Sequence, residues 1–337
     1  DDLAITHAHA TVNGLRMHYV EKLPKLEKSA DPRGKAHAAD RRDPSHEADR
    51  PLVVLLHGFP EMWWSWRYQI QALAEAGYRV VAPDLRGYGE TEAKGPYDID
   101  TLRDDVIGLL DHLRADKAIV VAHDWGGAIA WHLASTRQAR VQKLVVMNCP
   151  HPILLQKALF SSPRQLLRSW YMFFFQLPIL PELALTRGRG GGAIAMVRAL
   201  AMDKTHFGRQ ELAPLADAVL KPGRAGAMIG WYRAAIRAGL RAGRKGPGAL
   251  RSYETITVPT LLVWGLEDGA LGYEDVVPGI ERFVPGVEIQ TLPGCGHFVQ
   301  QEQPREVNRR LVEFLGRTTP SVDATGSPDL RAPLRAT

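Results

Sequence analysis

The sequence has little of several things, and each scarcity narrows what the chain can be. Among 337 residues there are two cysteines, Cys149 and Cys295, too few for a disulfide framework, so a reduced, cytoplasmic setting is expected. Asp1-Asp2-Leu3-Ala4 offers neither a basic stretch nor an apolar run, and no signal peptide is visible there. The most apolar stretch, Trp170 to Leu185, is broken by Pro178 and Pro181 and is too short to span a bilayer. No His/Cys cluster has metal-ligand spacing, so no metal and no organic cofactor is expected. Neither sign of charge dominates, the net being +5. Lys and Arg do outnumber acids between Arg187 and Arg251, which suggests a basic outer face. No helix-turn-helix, finger or aromatic–basic module accompanies them, and a nucleic-acid partner is not expected.

What is present is a strand–helix rhythm. His9 to Val20 reads as two short strands joined by an Asn13-Gly14 turn. Glu21 to Arg50 is rich in charges of both signs and reads as a surface insertion. Strands are then predicted at Leu52–Leu56, Arg79–Ala82, Ala118–Ala122 and Leu144–Met147, with helices at Trp66–Ala76, Leu102–Leu113 and Ala128–Ser135. The rhythm stops after Asn148 and resumes with strands at Thr260–Trp264 and Glu288–Leu292 and a helix at Arg305–Leu315. The pattern predicts an α/β fold, a mostly parallel sheet with helices on both faces and an inserted helical cap. The expected division is a core over 1–148 (21–50 being the insertion), a cap over 149–255, the rest of the core over 256–316, and a tail over 317–337.

The chemistry centres on Asp124. A buried run, Ala118 to Ala122, leads into His123-Asp124-Trp125-Gly126-Gly127 and a helix, the small-x-nucleophile-x-small form of a strained strand-to-helix elbow. An aspartate capping the following helix is the structural alternative. A serine attacking a saturated carbon would leave an ether that no enzyme base readily cleaves. A carboxylate leaves an ester, which activated water hydrolyses at the carbonyl. The expected electrophile is therefore an sp³ carbon bearing a leaving oxygen or halogen. His297, in Gly294-Cys295-Gly296-His297-Phe298, and Asp268, in Trp264-Gly265-Leu266-Glu267-Asp268, each follow a strand. The chain order nucleophile, acid, base is that of α/β-hydrolase triads, with Glu267 the alternative acid. His57-Gly58-Phe59-Pro60 ends another strand, so the Phe59 and Trp125 N–H groups are candidates for an oxyanion hole.

The runs His57 to Tyr68, Asp84-Leu85-Arg86-Gly87-Tyr88-Gly89-Glu90-Thr91, His123 to Gly127 and Asn148-Cys149-Pro150-His151-Pro152 resemble the α/β-hydrolase-fold epoxide hydrolases. The likeness covers roughly Leu52 to Leu315, and departs at Ala122, where many relatives have glycine. It implies an eight-stranded sheet and two cap tyrosines that hydrogen-bond the epoxide oxygen. Tyr171, before Phe175-Gln176, and Tyr232, in Gly230-Trp231-Tyr232-Arg233, stand in those places. An alkoxide is a poor leaving group, and a neutral phenol is a suitable donor to it. Trp63, Phe174, Phe175, Leu177, Ile179 and Phe298 are candidates for an apolar pocket wall.

The implied activity converts a small apolar epoxide and water to a vicinal diol through an ester on Asp124, with a homodimer left open. Haloalkane dehalogenases are the alternative, but commonly place Asn or Glu where this chain has Phe59. Fluoroacetate-type dehalogenases usually have Arg where this chain has Trp125. A third reading is a ligand-binding protein on a decayed hydrolase scaffold.

Overall fold

The computed structural model describes residues 4–24, 50–244 and 253–317. Most of the expected surface insertion and nearly all of the expected tail lie outside the described residues.

The chain opens with a hairpin, β1 (Thr6–Val12) and β2 (Leu15–Lys22). Its turn residues, Asn13 and Gly14, have φ of 50° and 70°, the pair of positive values that a two-residue hairpin turn requires. Strand β2 continues through Lys22, so the first residues assigned to the insertion belong to the sheet; Glu21 pairs with Arg79 at 2.6 Å. Then follow β3 (Leu52–Leu56), α1 (Arg67–Glu75), β4 (Arg79–Pro83), α2 (Ile99–His112), β5 (Ala118–His123), α3 (Trp125–Thr136) and β6 (Val141–Met147). Helix α2 starts a turn earlier than its apolar pattern because the Asp98 side chain caps it, accepting from Thr101 N at 3.1 Å.

From Pro152 to Arg244 the backbone forms α4 (Pro152–Ser161), α5 (Pro163–Arg168), α6 (Trp170–Phe174), α7 (Leu180–Thr186), α8 (Gly191–Leu200), α9 (Ala213–Leu220) and α10 (Arg224–Arg244). The sheet resumes with β7 (Thr260–Gly265), α11 (Tyr273–Val276) and β8 (Glu288–Leu292), and the described chain closes with α12 (Val299–Glu302) and α13 (Pro304–Gly316).

The eight strands lie in the order β1-β2-β4-β3-β5-β6-β7-β8. The pairs β1–β2 and β2–β4 are antiparallel, and every pair from β4 across to β8 is parallel. The central strands β3, β5, β6 and β7 are buried on both faces because both faces of the sheet are covered there. Val53, Leu55, Val121 and Val145 point to one side, where Ile70 and Leu73 of α1 and Val307 and Leu311 of α13 pack on them. Val54, Leu56, Val120 and Val146 point to the other, against Leu102 and Val106 of α2 and Ile129 of α3. The chain steps from β3 outward to β4, then crosses back over β3 to β5. The carboxyl ends of β3 and β5 therefore lie side by side where the winding reverses, and an open α/β sheet leaves a crevice at such a point.

Candidate active site

The loops leaving β3 and β5 meet in that crevice. Asp124 has φ 48° and ψ −120°, a left-handed conformation that an aspartate adopts only at a cost of about 1–3 kcal/mol. The surroundings impose it. A Cβ on Gly126 would lie 2.2 Å from the Leu56 carbonyl oxygen, and one on Gly127 would lie 2.5 Å from Cys149 Cβ. Only glycines let helix α3 start that close to the sheet, and the tight start turns the Asp124 side chain out over it. A Cβ on Gly58 would lie 2.5 Å from Asp124 Cβ, so this glycine lets the β3 loop reach the carboxylate. There Phe59 N–H donates to Asp124 Oδ1 at 2.8 Å.

Asp268, on the loop after β7, accepts from His297 Nδ1 at 2.7 Å. Its other oxygen accepts from the N–H groups of Ala270 and Leu271 at 2.8 and 3.0 Å. Glu267 is turned elsewhere and accepts from Cys295 N–H at 3.1 Å. His297 Nε2 lies 3.6 Å from Asp124 Oδ2, an ion-pair contact too long for a direct hydrogen bond. Burial would raise the Asp124 carboxyl, but His297, His123 and the Phe59 N–H outweigh it and hold it below the usual carboxylate range. Burial would likewise raise Asp268, and His297 with Asn148 and Leu271 N–H brings it below. Burial would lower His297, yet the two carboxylates beside it lift it well above its ordinary value. An imidazolium between two carboxylates is the state this geometry favours.

Three residues that had no role assigned from the sequence complete the frame. Asn148, after β6, donates to Asp268 Oδ2 at 2.8 Å and accepts from Gly265 N–H at 2.9 Å. It braces the acid without competing with it. Glu61 is buried and accepts from Gly58 N–H at 3.0 Å and from the Gln301 side chain at 2.7 Å. His123 links this carboxylate, 2.8 Å from Nδ1, to the His297 carbonyl oxygen, 2.9 Å from Nε2. Both of its partners accept hydrogen bonds, so the ring is held between the β3 loop and the His297 loop. Their signal was present in the His-Gly-Phe-Pro-Glu and His-Asp-Trp runs, but spacing cannot show which polar residue points inward.

The cap places its two tyrosines over this floor. Tyr171 on α6 and Tyr232 on α10 have ring centroids 6.0 Å apart, nearly perpendicular. Tyr232 packs edge-on against Phe59 at 5.0 Å, Trp125 at 5.1 Å and Phe175 at 4.8 Å. Burial, and after it the Asp124 carboxylate, pushes both phenols above their ordinary value, so they sit as neutral O–H groups within reach of its field.

The residues expected to form a pocket wall separate into different places. Phe175 is buried against Phe59 and Tyr232, and Phe298 packs behind His297 at 5.0 Å. Phe174 is half-buried beside Phe175. Trp63 is not brought to the cluster: its side chain lies in the core beneath the sheet, and its backbone N–H donates to Asp84 Oδ1 at 3.0 Å. The short Trp63–Trp66 turn places that side chain on the far side of the loop. Leu177 and Ile179 are 44% and 67% exposed, on the outer side of the cap, because Pro178 interrupts the helix that would have turned them inward. Among the described residues no group of three His, Cys, Asp or Glu side chains could hold a metal ion, and no helix is long and apolar enough to cross a membrane.

Residues 51–304 match the α/β hydrolase fold family. The chain is 41% identical over 270 residues to the AB hydrolase superfamily protein YfhM of Bacillus subtilis (strain 168), covering 79% of this chain and 91% of that protein. It is 33% identical over 330 residues to epoxide hydrolase 4 of Homo sapiens, covering 94% of this chain and 81% of that one. Its fold superposes on the crystal structure of Bacillus megaterium epoxide hydrolase in complex with an inhibitor. The TM-score is 0.76, with 26% identity, over 92% of this chain and 100% of that one.

Proposed function

The chain belongs to the α/β-hydrolase-fold family, alongside its epoxide hydrolases, and on that premise we propose that it opens an epoxide to a vicinal diol through a covalent ester on Asp124. The observation that carries this reading is a carboxylate on a strained elbow beneath two cap phenols, Tyr232 packing on Phe59 and Trp125 beside that carboxylate and Tyr171 packing on Tyr232. Asp124 Oδ1 already occupies the Phe59 N–H, the donor that an oxyanion will need, with Trp125 N–H as its proposed companion. Oδ2 is left to attack the epoxide carbon in line. As the C–O bond breaks, the ring oxygen gains charge, accepts hydrogen bonds from Tyr171 and Tyr232 and takes a proton from one of them, and solvent reprotonates that phenol.

The second step follows from the first. Forming the ester removes the Asp124 charge, one of the groups lifting His297. The imidazolium then gives up its proton to solvent, and the neutral ring, oriented by Asp268, can take a proton from water. Water adds to the Asp124 carbonyl carbon and Oδ1 becomes the oxyanion; on collapse the leaving oxygen, Oδ2, takes the proton from His297 and departs in the diol, and the new Asp124 carboxyl ionises and restores the imidazolium. The substrate proposed is a small apolar epoxide, with Phe175 and Phe174 as its nearest apolar walls.

A single turnover in ¹⁸O-water with enzyme in excess tests this. Unlabelled diol and label in the peptide containing Asp124 are expected; labelled diol in the first turnover would show direct attack by water and overturn the nucleophile. His297→Gln should leave intact protein heavier by one substrate, because alkylation proceeds and hydrolysis does not.

A further inference from the structure

Twelve of the large apolar side chains exposed among the described residues belong to the cap, and nine of those lie between Phe160 and Leu183. Scattered exposed leucines are ordinary; a cluster is not. Here Trp170, Leu180 and Leu183 meet around Phe174. Trp170 touches Phe174 at 6.0 Å, and Phe174 lines an open groove of about 510 Å³ with Leu180, Leu183 and Arg187. Arg233 ties α10 to the same face, donating to the Leu177 carbonyl at 2.6 Å and to Glu182 at 2.6 Å. One and two turns further along α10, Arg237, Leu240 and Arg241 are exposed.

Charge says what covers this face. Between Cys149 and Thr255 the sequence has 16 Lys and Arg against 5 Asp and Glu. The cap is therefore a formal +11, and the remaining chain −6. On this face Arg187, Arg237 and Arg241 are exposed, and a two-fold pairing of cap on cap would bring them together. An anionic lipid surface would neutralise them and accept the apolar side chains between them. We infer that the outer face of the cap, around the Leu180–Leu183–Arg187 groove and the exposed end of α10, docks peripherally on anionic membranes. The same short helix α6 carries exposed Trp170 and Phe173 outward and Tyr171 inward, so a docked cap would hold the pocket beside the lipid phase.

The test is co-sedimentation of the full chain with vesicles of phosphatidylcholine, alone or mixed with phosphatidylglycerol. Binding to the anionic vesicles should be roughly tenfold or more stronger at low salt, and should weaken as salt screens it. Leu180→Asp with Leu183→Asp should abolish binding, and Arg187→Glu with Arg241→Glu should remove the preference for anionic lipid. Unchanged unfolding temperatures would show that these variants fold. Equal or absent binding of the wild type to both vesicles would overturn the inference. So would a dimer in solution that the leucine variants split, since the face would then belong to a second copy.

Discussion

In the core, the groups proposed to react sit on loops at strand ends and are held by backbone; in the cap, the two tyrosines sit on helices and are held by aromatic rings. Asp124 is fixed by a strained elbow that two glycines permit, and Asp268 by two backbone N–H groups and an asparagine. Tyr232 has aromatic edges on three sides, from Phe59, Trp125 and Phe175. Backbone anchoring suits groups that must be ionised and placed to a fraction of an ångström. Ring packing suits neutral donors that must stay dry, since burial raises the phenol of Tyr232 further above its ordinary value. The two regions also differ in charge, acidic below and basic above, so the carboxylates and the cap cations face different surroundings.

The largest expected effect comes from removing the cap's donors while leaving its packing. Tyr171→Phe combined with Tyr232→Phe keeps both rings and should slow ring opening by about 10²–10⁴ or more, with each single variant losing less. Rapid-quench measurement of ester formation reads this step. A wild-type rate in the double variant would break the assignment of chemistry to the cap.

The seam between the regions predicts a pH dependence. His151, between β6 and α4, is fully buried and stacked on Phe283 at 4.5 Å, with no hydrogen-bond partner for either nitrogen among the described residues. Burial lowers its pKa from 6.5 to about 4. The unfolded chain therefore takes up a proton first as pH falls, and its contribution to stability, complete above 6.5, is lost toward about 4. His151→Phe should remove about 2–3 kcal/mol of acid destabilisation. Denaturant unfolding at neutral pH and near pH 4 would show it, and an unchanged difference would exclude this residue.

Glycines sharpen the contrast further. Gly126→Ala should cost about 1–3 kcal/mol, because its Cβ meets the Leu56 carbonyl, and should lower activity with it. Gly239→Ala, in exposed α10 with nothing within 4 Å of the new Cβ, should stabilise the chain by about 0.5–1 kcal/mol. Thermal unfolding of the two variants checks both signs. If both destabilised, the cap would be as closely packed as the elbow.

The sequence by itself determined the fold. Strand β3 falls where its apolar run places it, because a run buried on both faces can be little else between turn signals. Helix α3 begins at Trp125 rather than Ala128, since propensity cannot register a helix that starts inside a strained turn. The order Asp124, Asp268, His297 was also legible, because a parallel sheet delivers every strand-end loop to one edge. The tertiary structure alone decided which side chains face one another across that edge. It set Asp268 rather than Glu267 against His297. It linked Glu61 through His123 to the His297 loop and sent Trp63, Leu177 and Ile179 away from the cluster. The reason is that local pattern encodes whether a residue is buried, whereas which loop it meets depends on contacts between different loops, from 28 positions apart for Glu267 and Cys295 to 174 for His123 and His297.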